Sequence, residues 1–227
     1  MPELINGMKL DRLNRYQSKG GSQHHVNKYQ GRRKVWSHRV ECAMLQRLLE
    51  RAGHSEDILD APCGAGRFFP VIAQHARNVF LGDISSQMLA MAHKHTEGRA
   101  TRYQHVDLRS VSTDTPRFEG VISLRLTHHI YDADVLNDYL QSLSLLARRW
   151  VIISFRDTRA PWTQWRRLTH SIKDKEPLPS QTIAEISELM ADNGFHLLAD
   201  EDLSKWLSGH RYALYHRCSA HQETSTS

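Results

Sequence analysis

The chain has 227 residues, of which 40% are hydrophobic and 24% are charged. These values are typical of a single globular domain that buries a full core. No stretch approaches the ~20 apolar residues that a membrane span needs, and the first residues lack the apolar core of a signal peptide. Three widely spaced cysteines argue against a disulfide framework, so we expect a reducing, cytoplasmic environment.

The positive charge is concentrated near the amino terminus. Of the 30 Lys and Arg residues, nine lie in residues 1–40, where only two of the 25 acidic residues lie. A basic segment of this kind can bind RNA or a phosphate-bearing substrate, or it can be a solvated face. We expect residues 1–34 to form a basic leader or lid, residues 35–217 the domain, and residues 218–227 a polar, disordered tail.

A helix is predicted directly after the leader. Apolar residues recur there at spacings of three and four, which is one helical face: Val40, Met44, Leu45, Leu48 and Leu49. Gly53 ends this helix. Further helices are expected at residues 67–76, after Ser85 or Ser86, after Asp132 or Asp134, and after a capping box of Thr182 and Glu185, with Asn193-Gly194 at its end.

Short apolar runs between these helices predict strands that are buried on both faces. The runs cover residues 58–59, 79–81, 103–106, 121–124 and 151–155, with two more strands at 195–198 and 212–216. Strands that alternate with helices in this way are typical of a doubly wound α/β domain. Such domains bind ligands at the carboxyl ends of their strands, where the strand order reverses.

The most informative stretch follows the first of these strands. Asp60 precedes the turn Pro62-Cys63-Gly64-Ala65-Gly66, and a second acid, Asp83, follows the next strand. Glycines let the backbone approach a ligand closely, and the start of the next helix offers free N–H groups. An acid after the second strand can accept hydrogen bonds from ribose hydroxyls. The unit is therefore suited to a nucleoside.

The details of the turn narrow the choice of nucleoside. The dinucleotide fingerprint places a third glycine where Phe69 stands, and the phosphate-binding P-loop needs Gly-Lys-Ser/Thr where Arg67-Phe68 stands. Asp60 would also repel a pyrophosphate and attract a cationic group. These residues favour a ligand that has a ribose and a positive charge and lacks a phosphate.

The same residues resemble those of class I S-adenosylmethionine-dependent methyltransferases. Asp60 to Gly66 is similar to their first motif, with Pro62 where a glycine usually stands. Further segments resemble the ribose-binding, adenine-binding and fourth-strand motifs: Gly82-Asp83-Ile84-Ser85 with Met88-Leu89, Val106-Asp107-Leu108, and Phe118 to Ile130. The resemblance covers roughly residues 55–155.

This resemblance implies a doubly wound, mostly parallel seven-stranded sheet with helices on both faces and an antiparallel hairpin at one edge. It implies S-adenosylmethionine as the cofactor, with Asp60 at the methionine amine, Asp83 at the ribose and Asp107 at the adenine. The full set of implied cofactor residues is Asp60, Pro62, Cys63, Gly64, Gly66, Asp83, Ile84, Met88, Asp107, Leu108 and Arg125.

Catalytic and substrate residues are predicted from position. His128 follows the fourth strand and can take a proton from a hydroxyl or amine nucleophile, although the same His-His element can be a packing feature. Residues 155–180 are a candidate substrate lid with Arg156, Trp162 and Trp165, and the two tryptophans equally fit the core stripe of a short helix. The histidine pairs His24-His25 and His93-x-His95 occur, but no cysteine or acid stands at ligand spacing, so no metal site is predicted.

These observations predict a methyltransferase that acts on an oxygen or nitrogen of a small-molecule or lipid-headgroup acceptor. The arginine-rich lid and the basic leader favour an anionic acceptor. An RNA methyltransferase that uses the leader is the alternative, although Leu126-Thr127-His128-His129 replaces the Asn/Asp-Pro-Pro-aromatic element that grips planar amines. A non-enzymatic binding module is disfavoured because both acids and both glycines are present.

Overall fold

A seven-stranded sheet organises the part of the chain that the computed structural model describes, which is residues 4–5, 8–9, 32–172, 178–203 and 209–218. The sheet strands are β1 (Ser55–Asp60), β2 (Ala76–Asp83), β3 (Arg102–His105), β4 (Phe118–Ser123), β5 (Ala147–Arg156), β6 (Phe195–Asp202) and β7 (His210–Arg217). Two further strands, Leu4–Ile5 and Met8–Lys9, pair antiparallel with each other.

The strand order in the sheet is β3-β2-β1-β4-β5-β7-β6. The first five strands are parallel, whereas β7 runs antiparallel to both β5 and β6. The predicted seven-stranded, mostly parallel sheet with an edge hairpin is therefore confirmed. The order reverses between β1 and β4, so the carboxyl ends of these two strands define the crevice in which ligands of open α/β sheets bind.

Six α-helices accompany the sheet in the described residues: α1 (Arg32–Ala52), α2 (Phe69–Ile72), α3 (Ser86–His95), α4 (Ala133–Leu146), α5 (Pro161–Ile172) and α6 (Ile183–Asp192). One core lies between the sheet and α1, α2 and α3, and a second lies between the sheet and α4 and α6. Consecutive strand residues divide between the two cores, as Ile58 and Leu59 of β1 do.

Local sequence signals set several of the helix ends. The Ser85 hydroxyl accepts a hydrogen bond from the Met88 N–H at 3.3 Å and caps α3. The Asp132 side chain caps α4, and the capping box of Thr182 and Glu185 begins α6 as predicted. Gly194 follows α6 with φ +77°, a left-handed conformation that glycine adopts without steric cost.

The prediction of a helix at residues 67–76 is wrong in length, because the observed helix α2 covers only Phe69–Ile72. The Ala73 N–H still donates four residues back to Phe69, but the two N–H groups after it donate three residues back, from Gln74 to Val71 and from His75 to Ile72. These are tight turns that end the helix and lead into β2. Apolar spacing alone does not separate one helical turn from a longer helix.

Several predicted segments fall partly outside the described residues. The leader at 1–34 is described only at 4–5, 8–9 and from Arg32, where α1 begins. In the lid at 155–180, residues 173–177 are outside the described part of the chain. In the tail at 218–227, only Cys218 is described. None of the helices in the described part of the chain is long and apolar enough to cross a membrane.

Candidate active site

Asp60 ends β1 at the carboxyl edge of the sheet. Its side chain is almost fully buried, and its Oδ2 atom accepts no hydrogen bond from the described residues. Burial raises the pKa of Asp60 to about 8, while the Arg67 cation opposes this rise and the Asp83 charge adds to it. A buried carboxylate with an unused oxygen is suited to receive a cationic group.

The turn after Asp60 depends on its two glycines. Gly64 and Gly66 have φ values of +54° and +70°. A Cβ on Gly66 would lie 3.2 Å from side-chain carbons of Ala92 and Thr96, so glycine also lets the turn pack on α3. Apart from its neighbours in the chain, none of the described residues has an atom within 4 Å of a Cβ built on Gly64, so among these residues this side of the turn is open to a ligand.

Pro62 and Cys63 stand in the first half of this turn. The peptide bond between Ala61 and Pro62 is cis. The Cys63 N–H donates to the Gly82 carbonyl at 2.8 Å, and its thiol is buried. Burial raises the pKa of the Cys63 thiol, with the neighbouring Asp60 and Asp83 charges adding to the effect. The thiol therefore stays protonated, and Cys63 contributes backbone geometry and packing.

Asp83 ends β2 and connects two loops. Its Oδ2 accepts from the Gly64 N–H and its Oδ1 from the Ser85 N–H, both at 2.9 Å. Burial raises the pKa of Asp83, and these two donors oppose the rise. A carboxylate accepts up to about four hydrogen bonds, so the backbone fixes Asp83 and leaves capacity for ribose hydroxyls. Met88, which follows on α3, is buried yet belongs to neither core cluster.

The predicted adenine-binding residues lie after β3. Asp107 accepts from Arg109 through both carboxylate oxygens, at 2.9 Å from Nε and 2.7 Å from Nη2. The Arg109 guanidinium lowers the pKa of Asp107. Leu108 packs in the core beside α4, and Ile84, after β2, is half-buried. Asp107 thus holds an arginine in the structure, and its role at an adenine amine stays a prediction.

A buried carboxylate joins α1 to two loops of the site. Glu41 is 1% exposed and pairs with Arg67 after β1 at 2.8 Å and with Arg125 after β4. Arg125 has φ +66°, and its N–H donates to the Ser154 hydroxyl at 2.8 Å. Removal of Glu41 would leave two partly buried cations without this partner, so Glu41 holds both arginines in place.

Three histidines meet at the carboxyl edge near β4 and β5. The His128 ring centroid lies 4.0 Å from that of His129 and 5.4 Å from that of His210, the first residue of β7. The Nδ1 atoms of His128 and His210 are buried and have no hydrogen-bond partner among the described residues. Burial lowers the pKa of both rings well below the ordinary value, and Arg125 and Arg156 lower each further. Both imidazoles are therefore neutral at pH 7.

The lid tryptophans lie on α5. The rings of Trp162 and Trp165 stack with centroids 5.1 Å apart and an interplanar angle of 28°. Trp165 is 54% exposed, so the interpretation of this pair as a core stripe is wrong. The inner side of α5 is formed instead by Thr163, which is fully buried. Arg156, the last residue of β5, lies at the start of the candidate lid and donates to the Pro179 carbonyl at 3.3 Å.

Metal coordination has no support in the described part of the chain. No group of three or more histidine, cysteine or acidic side chains there has the geometry to hold a metal ion.

Comparisons with known proteins show what the sequence and the fold are similar to. A family model of the methyltransferase domain matches residues 58–148, from β1 into β5. Magnesium protoporphyrin IX methyltransferase from Synechocystis PCC 6803, crystallised with S-adenosylhomocysteine, superposes with a TM-score of 0.74 at 18% identity, over 92% of this chain and 100% of that one. Residues 58–148 thus carry a methyltransferase domain, and the described chain has the class I methyltransferase fold.

Two further solved methyltransferases have the same fold. A methyltransferase from Clostridium acetobutylicum ATCC 824 gives a TM-score of 0.65 at 14% identity, over 89% of this chain and 100% of that one. The N-methyltransferase NodS from Bradyrhizobium japonicum WM9 gives 0.63 at 12% identity, over 81% and 97%. None of the curated proteins matches this sequence significantly. At these identities the likeness concerns the fold, and it leaves the acceptor open.

Two residues of the methyltransferase site were missed by the sequence analysis. Glu41 had a usable signal, because it is an acid on the apolar stripe of α1, three residues before Met44 and four before Leu45. His210 had none, because its place beside His128 results from the antiparallel pairing of β7 with β5. Among the predicted residues, the structure brings Asp60, Gly64 and Asp83 together.

The raised pKa of Asp60 predicts how cofactor binding by the methyltransferase depends on pH. A cation bound beside Asp60 favours the carboxylate, so below the pKa of about 8 binding releases a proton. Affinity for S-adenosylmethionine should therefore rise by about tenfold per pH unit up to about pH 8 and then level off. Calorimetry at several pH values measures this slope. Asp60→Asn should bind S-adenosylmethionine more weakly than the wild type above pH 8, and its affinity should not change with pH. A wild-type affinity that is independent of pH would contradict the role of Asp60.

Proposed function

We propose that this methyltransferase transfers the methyl group to an oxygen or nitrogen of a small-molecule or lipid-headgroup acceptor that carries an anionic group. The observation that carries the proposal is a pair of neutral histidines, the half-buried His128 and the buried His210, at the carboxyl edge beside Arg125 and Arg156. Neutral imidazoles are able to accept a proton, and arginines attract an anion. An acceptor that loses a proton during methyl transfer and also carries an anionic group needs both a proton acceptor and a cation beside it.

In this proposal the cofactor is held by the loops after β1 and β2. The unpartnered oxygen of Asp60 would face the methionine amine, and Asp83 would bind the ribose hydroxyls. The remaining proposed contacts are the loop backbone, the adenine surroundings and the arginine after β4: Pro62, Cys63, Gly64, Gly66, Ile84, Met88, Asp107, Leu108 and Arg125. When bound, the cofactor supplies an electrophilic methyl group on a sulfonium.

The protein contributes alignment and a base. His128 would accept the proton that the acceptor hydroxyl or amine loses as its bond to the methyl carbon forms. Its Nδ1 atom has no hydrogen-bond partner among the described residues, so the ring keeps one nitrogen that none of them occupies. Arg156 and the stacked Trp162 and Trp165 would hold the rest of the acceptor at the lid.

The acceptor can be found by transfer of a labelled methyl group. The full chain is incubated with labelled S-adenosylmethionine and with separate polar-metabolite, lipid and RNA fractions. We expect label in the polar-metabolite or the lipid fraction. Label in the RNA fraction alone would contradict the proposal and favour an RNA methyltransferase, and label in no fraction would also count against it.

The role of His128 can be tested once an acceptor is found. His128→Gln should lower the transfer rate about 100-fold, at the lower end of the range for a general base because His129 and His210 are close by. Affinity for S-adenosylmethionine should stay unchanged. The exposed His54 offers a matched control, since His54→Gln should leave both quantities unchanged. A wild-type rate in His128→Gln would rule out a base at this position.

A further inference from the structure

The helix α5 turns its apolar side away from the protein. Thr163 is fully buried, and a Cβ on Gly209 would lie 2.2 Å from its Oγ1, so this side of α5 packs against the chain before β7. Trp165, Leu168 and Ile172 are 54%, 60% and 74% exposed. Their spacing of three and four places them on one ridge, on the side of the helix opposite Thr163. A helix that only completed the core would face the other way.

The ionisable side chains of α5 are all basic. The helix contains Arg166, Arg167 and His170 and no acidic residue, and the exposed Arg159 precedes it. Tryptophan and leucine on one side of a helix, with arginine on the other, are typical of helices that lie in the interface of a lipid bilayer. Anionic headgroups attract such arginines.

A second exposed apolar group occurs in the first turn of α1. Val35 and Trp36 are 41% and 51% exposed, and three basic residues, Arg32, Arg33 and Lys34, precede them in the sequence. Most of the exposed large apolar side chains in the described residues thus belong to α1 and α5; the others are Leu197 and Leu198 of β6.

Both groups lie at the same edge of the sheet. Glu41 of α1 pairs with arginines that follow β1 and β4, which places this part of α1 at the carboxyl edge. The Ala52 carbonyl at the other end of α1 accepts from Arg149 near the start of β5, at the opposite edge. The first turn of α1 therefore extends beyond the carboxyl edge, where α5 follows directly on β5.

We propose that the outer ridge of α5, together with the first turn of α1, seats this domain on an anionic phospholipid bilayer. Insertion of Leu168 and Ile172 covers the part of the exposed apolar ridge that lies beyond Trp165, and the arginines of α5 meet the lipid phosphates. The carboxyl edge of the sheet then faces the membrane. This proposal goes beyond the methyl-transfer reaction and holds whether or not the acceptor is itself a lipid.

The test is flotation of the full chain with phosphatidylcholine vesicles that contain or lack phosphatidylglycerol. We expect the wild type to float with the anionic vesicles and to be released as salt screens the arginines. Leu168→Ser combined with Ile172→Ser should lower partitioning by at least about tenfold, because both side chains lose their burial in the acyl region. Both residues are exposed, so the melting temperature should be unchanged.

A matched control comes from the edge strand β6. Leu198 is 46% exposed, and Leu198→Ser removes the same kind of side chain from a different surface; this variant should bind vesicles like the wild type. No flotation of the folded wild type would overturn the proposal, as would equal binding by the α5 double variant. Dimers that are lost in the double variant, without vesicle binding, would assign the ridge to a second copy of the chain instead.

Discussion

Asp83→Ala is expected to weaken the binding of S-adenosylmethionine by about 10³-fold. In the proposed site Asp83 accepts hydrogen bonds from two ribose hydroxyls, and hydrogen bonds to a charged group contribute about 2 kcal/mol each, or about 4 kcal/mol together. The variant also removes the acceptor of the Gly64 and Ser85 N–H groups, which hold the two binding loops together. Calorimetric titration of both proteins gives the ratio of dissociation constants.

Two further variants separate loss of binding from loss of structure. Asp83→Asn keeps a carbonyl oxygen for one of the backbone N–H groups and loses the charge, so its affinity should lie between those of the wild type and the alanine variant. Asp138→Ala removes an exposed acid from α4 and should bind like the wild type. Equal affinity of Asp83→Ala and Asp138→Ala would refute the assignment of Asp83 to the ribose.

Gly120→Ala is expected to lower the free energy of unfolding by about 3 kcal/mol or more. A Cβ on Gly120 would lie 2.0 Å from Cζ2 of Trp150 on the neighbouring strand β5. Trp150 is completely buried, and its indole N–H donates to the Ser55 hydroxyl at 3.1 Å, so the ring has little room to move. Overpacking of a dense core costs about 1–3 kcal/mol and more where nothing relaxes. Denaturant titration measures the loss.

The control for this prediction is Gly194→Ala at the end of α6. Gly194 has φ +77°, but the nearest atom to a built Cβ is an Arg217 nitrogen at 3.8 Å, so only the backbone conformation opposes the change. That cost is about 1 kcal/mol. Trp150→Phe replaces the opposing ring by a smaller one. In this background Gly120→Ala should lower the free energy of unfolding by at least about 1 kcal/mol less than it does in the wild type. A loss for Gly120→Ala no larger than that for Gly194→Ala would show that Gly120 and Trp150 are not in close contact.

The fold was predictable because its signals are local. Short apolar runs indicate buried strands, and caps such as Ser85, Asp132 and Thr182 begin helices where the sequence places them. The acids after β1 and β2 meet because parallel neighbouring strands end at the same edge of the sheet. The cofactor side of the site is therefore readable from motif spacing.

The acceptor side was less predictable because it depends on contacts between distant segments. His210 joins His128 through the pairing of β7 with β5, more than 50 residues apart in sequence. Glu41 could have been noticed as an acid on an apolar stripe, but its two arginine partners could not. For α5 the spacing of Trp162 and Trp165 left a short helix as one of two interpretations. The direction of the apolar ridge of α5 follows from how Thr163 packs against the chain near Gly209, which the sequence does not reveal.

The most direct test of the cofactor site is calorimetric titration of the wild-type chain with S-adenosylmethionine near pH 8. We predict saturable binding at one site per chain, competed by S-adenosylhomocysteine and not by ATP, because Asp60 favours a cationic group and repels a phosphate. Absence of saturable heat from a folded protein, or equally tight binding of ATP, would contradict a site built on Asp60, Gly64 and Asp83.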